Sequence, residues 1–404
     1  MISIPSHLRT YFVVLLTARR NFIPILSVYY LTLPSTDAAQ IGLYTGLGFL
    51  ASFFLNVPAG MLADKYGYRR TLIFTKILLL SSSLSFVFAD GFLGFILGAV
   101  LGSLGADAFM SGTGSSYLRD HLDMRGLGSE YKKISSRLKG DISLLSIGLI
   151  IALPFLTHFD IRLPLMIGAG IDLIGLIASF FLPETHSTAR KSASDSDTPK
   201  KSLFALLREL KGGLFLPLAA FSGCATGFLL SDAVYRIPYL TSLGYPIIFA
   251  GVTMGLSRFV WYLVGRNIDF FLQFRPQTLL KFDIALFTGF YLLATFVTNP
   301  YILAVWIILM LGYFWGRSEI YNDMFFEHMP DPSYKATLLS LRSQFANIIM
   351  VVFTVSIGFA MAYSYRLGFG IMGVALFVTL GGIYFVWLRN AELVSPEKTQ
   401  LNKE

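Results

Sequence analysis

Ionisable side chains inside long apolar runs are the first candidates for chemistry in this sequence. Arg19 and Arg20, followed by Asn21, stand within the run 11–33, and Asp107 stands within the run 91–117. A charge at membrane depth costs about 3 kcal/mol or more, so it faces a water-filled path or a partner. Measured from the nearer ends of their runs at 1.5 Å per residue, the arginines and Asp107 lie at matching depth, roughly 12–15 Å in. At that depth an ion pair between one arginine and Asp107 is geometrically plausible if the runs 11–33 and 91–117 line the same cavity. Neighbouring helical residues point about 100° apart, which sends one arginine toward a cavity and the other toward an adjacent helix. Asp107 is a candidate proton carrier, because desolvation and an arginine neighbour act on a carboxyl in opposite senses.

A second set lies in the other half of the chain: Arg317, Glu319, Asn322 and Asp323 in the run 301–326, Arg258 in 245–265, and Asp232 at the end of 213–234. Glu319 and Asp323 are four apart and share a helix face. Two readings stay open, a cytoplasmic ion-pair latch with Arg342 and a proton-coupling or substrate site. Asp172, in the run 163–182, reads as a packed, hydrogen-bonded or paired group. Tyr11, Tyr29, Tyr30, Trp261 and Trp306 could line a cavity, although interfacial belts and helix packing account for most membrane aromatics.

Other chemistries find little support. His7, His121, His158, His186 and His328 fall in loops or termini without paired metal spacing, and no Gly-rich loop ends in Lys-Ser or Lys-Thr to cradle ATP. Cys224 is the single cysteine, so neither a disulfide framework nor a thiolate metal site is expected. The expectation is a protein that is not an enzyme, uses no cofactor and holds no metal. The net charge of +8 does not indicate nucleic acid, because no basic stripe alternates with exposed aromatics.

The elements that must position these residues follow from composition. The chain is 54% hydrophobic and 14% charged, far less charge than a soluble domain needs. A helix crosses the hydrocarbon core with about 20 apolar residues, since its backbone pairs internally. Such runs occur at 11–33, 38–62, 71–89, 91–117, 138–157, 163–182, 213–234, 245–265, 279–298, 301–326, 338–362 and 367–388, called spans 1 to 12 below. Span 1 lacks a small-residue cleavage site and reads as a retained helix. Most basic residues fall in the termini and the even-to-odd loops, among them Lys65, Arg69 and Arg70; Arg162, Arg236 and Arg366 fall on the opposite side. Positive charge accumulates on the cytoplasmic side, so both termini are expected to be cytoplasmic, in an inner or plasma membrane.

The longest polar interval, 183–212, reads as a cytoplasmic linker between a six-helix bundle at 1–182 and a second at 213–389, with 390–404 as a cytoplasmic tail. Gly60 to Asp64 finds the same Gly-to-Asp spacing at Gly265 to Asp269, and Tyr131-Lys132 finds Tyr334-Lys335 at nearly the same offset. Equal halves with matching landmarks point to an internal duplication.

The loop Gly60-Met61-Leu62-Ala63-Asp64-Lys65-Tyr66-Gly67-Tyr68-Arg69-Arg70-Thr71-Leu72 closely resembles the signature joining helices 2 and 3 in the major facilitator superfamily, Gly-x-Leu-Ala-Asp-Arg-x-Gly-Arg-Lys. Tyr68 stands where the family usually has Arg, and Lys65 replaces another Arg. The segment Asp107 to Asp120 also resembles the small-residue-rich helix 4 of that family. The resemblance implies an all-α membrane protein of twelve helices in two pseudo-symmetric six-helix bundles, with spans 1, 4, 7 and 10 lining a central cavity. It further implies a conformational latch at Gly60, Asp64, Lys65, Gly67, Arg69, Arg70, Asp323 and Arg342, where Gly60 and Gly67 permit close approach and a tight turn. Substrate or coupling roles fall on Arg19, Arg20, Asn21, Asp107, Asp232, Arg258, Arg317 and Glu319.

Leu101 stands where many proton-coupled relatives carry Arg, and Asp141 to Gly148 lacks the Gly-Pro-rich motif of drug/proton antiporters, which argues against antibiotic efflux. The run Arg19-Arg20-Asn21-Phe22 is similar to helix 1 of organophosphate/phosphate antiporters. The expected function is secondary transport of a small polar or charged solute by alternating access, with the proton as candidate coupling ion. The expected setting is a monomer in the lipid bilayer. Organic-anion or phosphate-ester exchange or uniport, drug efflux or lipid flipping, and a non-transporting membrane sensor are the alternatives.

Overall fold

The punctuation of the sequence sets where its helices begin, break and turn. Pro24 has no N–H, and in a continuous helix its ring would meet the carbonyl of Arg20. Span 1 accordingly forms two helices, α1 (Arg9–Thr17) and α2 (Ile23–Tyr30), joined by an irregular turn at 18–22. Asp37 caps α3 (Ala38–Tyr66) through a reciprocal box with Gln40. At Gly67 the chain takes φ +91°, ending α3 and starting α4 (Tyr68–Phe88) without an intervening loop. A residue with a Cβ is strained at such an angle.

Span 4 is α5 (Phe92–Ser103), a π-helical turn at Leu104–Phe109 and α6 (Thr113–Asp123). α7 (Tyr131–Phe155) and α8 (Leu163–Phe180) follow. Beyond the polar interval, α9 (Phe215–Ser231) and α10 (Arg236–Ser242) meet at a 42° bend. Then come α11 (Ala250–Arg266), α12 (Pro276–Phe296), α13 (Pro300–Gly316), α14 (Lys335–Tyr363) and α15 (Tyr365–Ile383).

The computed structural model describes residues 5–110, 113–185, 214–267, 270–271, 273–318, 320–321, 324, 328 and 335–388. Among them, nine helices are long and apolar enough to cross a membrane, and the bent pair α9 and α10 makes up to ten. Helix occupies every one of the twelve expected runs, but span 1 is split and α13 is a shorter apolar helix. Span 1 is interrupted where Pro24 breaks the run.

Contacts divide the chain into two units, Met1–Thr198 with Ile247–Gly251, and Pro199–Pro246 with Val252–Glu404. Beyond Thr185, the expected linker lies outside the described residues up to Leu214. In the first unit α1 packs on α7 and α8, α4 on α8, and α3 on α5; in the second α9 packs on α14 and α15, and α12 on α15. Gly312 and Gly316 of α13 lie against Val260 and Val264 of α11, completing the same set of pairings span for span. Small residues allow such close approach in lipid, where packing supplies the attraction.

Candidate functional site

The break in span 1 carries the densest polar chemistry of the first unit. Asn21 N–H donates to Arg19 O at 2.8 Å and Ile23 N–H to Arg20 O at 3.2 Å, so the turn is closed by local bonds before Pro24 restarts the helix. Arg20 reaches across to α4, where Nη2 donates to Ser82 Oγ at 2.9 Å and Ser83 Oγ at 3.3 Å. Ser83 Oγ donates in turn to Asp172 Oδ2 of α8 at 2.5 Å. The guanidinium lies 5.0 and 5.5 Å from the ring centroids of Phe22 and Phe86, a cation–π setting that offsets part of its desolvation. Gly102 of α5 makes room for it, since a Cβ there would overlap Arg20 Nη1. Gly102→Ala is expected to cost about 1–3 kcal/mol by overpacking, measurable by thermal melting in detergent.

Arg19 turns the other way and is exposed. Asp107 is exposed as well, on the π-helical turn that interrupts span 4. The Arg–Asp107 ion pair that depth made plausible is absent: neither arginine lies within 4 Å of that carboxylate, and Arg20 is linked through Ser83 to Asp172 instead. Asn21 is 5% exposed and its Oδ1 has no hydrogen-bond partner among the described residues. A small cavity opens beside the break, lined by Thr17, Arg19, Arg20, Asn21, Leu153 and Asp172. Of the aromatics considered for a cavity, Tyr11 donates to Gly114 O at 2.7 Å and Tyr30 to Gln40 Oε1 at 2.6 Å, both in packing roles.

The second unit uses its charges differently. Asp232, at the bend of span 7, receives Arg236 Nε at 2.7 Å and Nη2 at 2.6 Å, and Tyr291 Oη donates to it at 3.0 Å. Arg236 and Tyr291 also donate to Leu229 O and Phe228 O at 2.5 and 3.2 Å, satisfying carbonyls at the end of α9. Arg236 is therefore buried within its unit at the start of α10, held by Asp232 and Leu229 O rather than standing free as a loop charge. Pro238 is the sequence signal for that bend.

Arg317 pairs with Asp283 of α12 at 3.0 Å, both essentially unexposed. Tyr313 and Tyr321 donate to the same carboxylate at 2.7 and 2.6 Å. The rings of Tyr321, Phe287 and Phe314 enclose the guanidinium at 4.4, 5.0 and 5.3 Å. Asp232 and Arg317, expected at a substrate cavity, are thus consumed by partners inside their own unit. Arg258 is half-buried on α11, while Glu319, Asn322 and Asp323 lie outside the described residues, as does the side chain of Arg342. The residues that sequence reasoning passed over are Lys76, Ser82, Ser83, Asp283 and Tyr291. Lys76 alone left a visible signal, as the single charge of its apolar run; Asp283 shares its run with Lys281.

The model of the Major Facilitator Superfamily matches residues 11–354. The chain belongs to that superfamily. It is 24% identical over 297 residues, 72% of its length and 74% of the relative's, to an uncharacterized MFS-type transporter of Methanocaldococcus jannaschii. Its fold is similar to that of the nucleoside transporter NupG, with TM-score 0.73 at 16% identity over 94% of this chain and 98% of that one. A peptide transporter POT variant gives TM-score 0.68 at 14% identity over 96% of each chain. A bacterial homologue of the human lysosomal transporter Spinster gives 0.62 at 17% over 96% and 98%. The protein is a multi-pass transporter of the major facilitator type.

Within this superfamily member, the signature loop has the expected sharp turn at Gly67. Gly60 sits inside α3 and is exposed, and a Cβ there would meet nothing within 4 Å among the described residues. Arg69 donates to Glu184 Oε1 at 2.9 Å and to Phe180 O at 2.8 Å, fastening α4 to the end of α8 inside the first unit. Lys65 lies over the Tyr66 ring and, like Arg70, is exposed; the Asp64 side chain lies outside the described set. Arg69→Ala should lower stability by no more than about 1 kcal/mol, because exposed pairs contribute little. A thermal melt checks it.

Proposed function

We propose that this transporter moves a small polar or charged solute by alternating access, with Arg19 and Asp107 contacting the solute or the coupling proton. The observation that carries the reading is the exposure of both charges on irregular turns of spans 1 and 4. A charge facing lipid would be costly, so an exposed charge within these spans fits a watered path. Interrupted helices supply backbone groups and adjustable geometry at transport sites. Arg20 supports the path from behind: its network with Ser82, Ser83 and Asp172 holds the turn that presents Arg19.

Exchange of an organic anion is the second reading, favoured by an exposed Arg19 guanidinium that forms no ion pair within 4 Å among the described residues. Purified protein screened by thermal shift against polar and charged metabolites identifies the solute, since a ligand of the folded state raises the melting temperature. Uptake of the hit into proteoliposomes, with and without a proton gradient, then separates coupled transport from exchange. Flux that ignores the gradient and is unchanged by Asp107→Asn would remove the proton from the mechanism.

A further inference from the structure

Lys76 lies in the middle of α4 and is fully buried, yet among the described residues it belongs to no ion pair within 4 Å. Its ammonium would carry three N–H donors. Among the described residues one acceptor is in place, Thr17 Oγ1 at 2.7 Å, and that hydroxyl spends its own hydrogen on Val13 O at 2.8 Å. Asp172 of α8 belongs to the adjoining polar cluster, but its Oδ2 is engaged by Ser83. Gly175 shapes the space, because a Cβ there would overlap both Thr17 Oγ1 and Lys76 Nζ. A permanent ammonium in such a place is left with unmet donors, which is expensive in a low-dielectric interior. A neutral amine has much less to lose.

We propose that Lys76 and Asp172 form a proton-binding site of the first unit, with Lys76 Nζ taking up and releasing the proton and Thr17 relaying its occupancy to the break in span 1. This rests on the transport reading above and adds a coupling site to it. In the step itself the N–H bond of the ammonium breaks, nitrogen keeps the electron pair, and the proton passes to solvent or to the Asp172 carboxylate.

The groups that face this site come from each neighbouring element. α8 brings Asp172, the turn at 18–22 brings Arg20 through Ser82 and Ser83, and the π-helical turn brings Asp107. α5 brings no titratable side chain. α6 meets α4 around Tyr68 and Leu72, so its Arg119, Asp120 and His121 belong to that end, and α3 brings Lys65 and Tyr66 only at the Gly67 turn. With the proton bound, Asp172 answers to two cations, Lys76 and Arg20. With it released, Arg20 alone remains, and the load on the turn carrying Arg19 to Phe22 changes. Thr17, the last residue of α1, is the mechanical link.

The test is a potentiometric difference titration of the full chain in detergent, wild type against Lys76→Met, with protons as the probe. The wild type should take up one more proton per molecule between about pH 9 and about pH 6, a window in which an ordinary lysine, titrating near 10.4, stays charged. Superimposable curves, or greater uptake by the variant, would overturn the site. Should Lys76→Met not fold, Asp172→Asn compared with the Lys76→Met/Asp172→Asn double variant reads the same proton without leaving a buried carboxylate unbalanced. The titration needs no solute, so a flat difference removes Lys76 from the mechanism while the transport reading stands or falls by its own uptake assay.

Discussion

Asp283→Ala should destabilise the protein by about 3–5 kcal/mol, the usual consequence of removing one partner of a buried ion pair. The carboxylate receives Arg317, Tyr313 and Tyr321 together. Without it, a guanidinium enclosed by three aromatic rings has no counter-charge, and two buried tyrosine hydroxyls lose their acceptor. The melting temperature in detergent should fall steeply, or the folded protein should fail to accumulate. Tyr321→Phe, which deletes one of the donors and leaves the ion pair, should cost only about 1–3 kcal/mol. An apolar double variant, Asp283→Leu with Arg317→Met, should recover much of the loss, because no charge is then stranded. If the single and double variants melt alike, the pair is not what holds α12 to the end of α13.

The second large effect belongs to Arg19. Removing its guanidinium with Arg19→Ala should weaken the apparent affinity for an anionic or polar solute by about 1.5–3 kcal/mol, roughly 10- to 100-fold. Stability should hardly change, because the side chain is exposed and forms no ion pair within 4 Å among the described residues. Arg20→Ala should do the reverse first, lowering the melting temperature, since its bonds to Ser82 and Ser83 tie the break in span 1 to α4. Uptake kinetics in proteoliposomes alongside thermal melts separate the two. Equal losses of stability from both substitutions would contradict the division of labour between adjacent arginines.

That division shows how far the sequence could be read. Adjacency already implied that Arg19 and Arg20 point to different surroundings, and the structure shows which goes where, on an irregular turn rather than a helix. Their partners were not legible, because the chain Arg20, Ser82, Ser83, Asp172 joins the turn in span 1 to two helices far apart in sequence, and serines in an apolar run look like packing residues. Asp107 drew attention as the nearest acid at matching depth, but depth alone says nothing of rotation about the helix axis. The same limit hid Asp283 as the mate of Arg317.

The architecture was more visible. Hydropathy located helix in every expected run, and the loop from Gly60 to Leu72 indicated the superfamily that the family match then established. Helix breaks were the systematic loss. An averaged hydropathy run does not register Pro24 or Pro238, although each removes a backbone donor and crowds the carbonyl four residues earlier. Lys76 carries a sequence signal of its own, as the single charge in the middle of span 3.

The central claim is that the turn bearing Arg19 lies on a path open alternately to the two sides of the membrane. Cys224 is the single cysteine and is buried, so Arg19→Cys in a Cys224→Ser background supplies one reporter thiol. Oriented membrane vesicles treated with a membrane-impermeant thiol reagent, added from one face and in a separate sample from the other, measure access directly. Alternating access predicts labelling from both faces, with the ratio shifted by saturating solute. Labelling from a single face, unaltered by any solute that the protein binds, would contradict it.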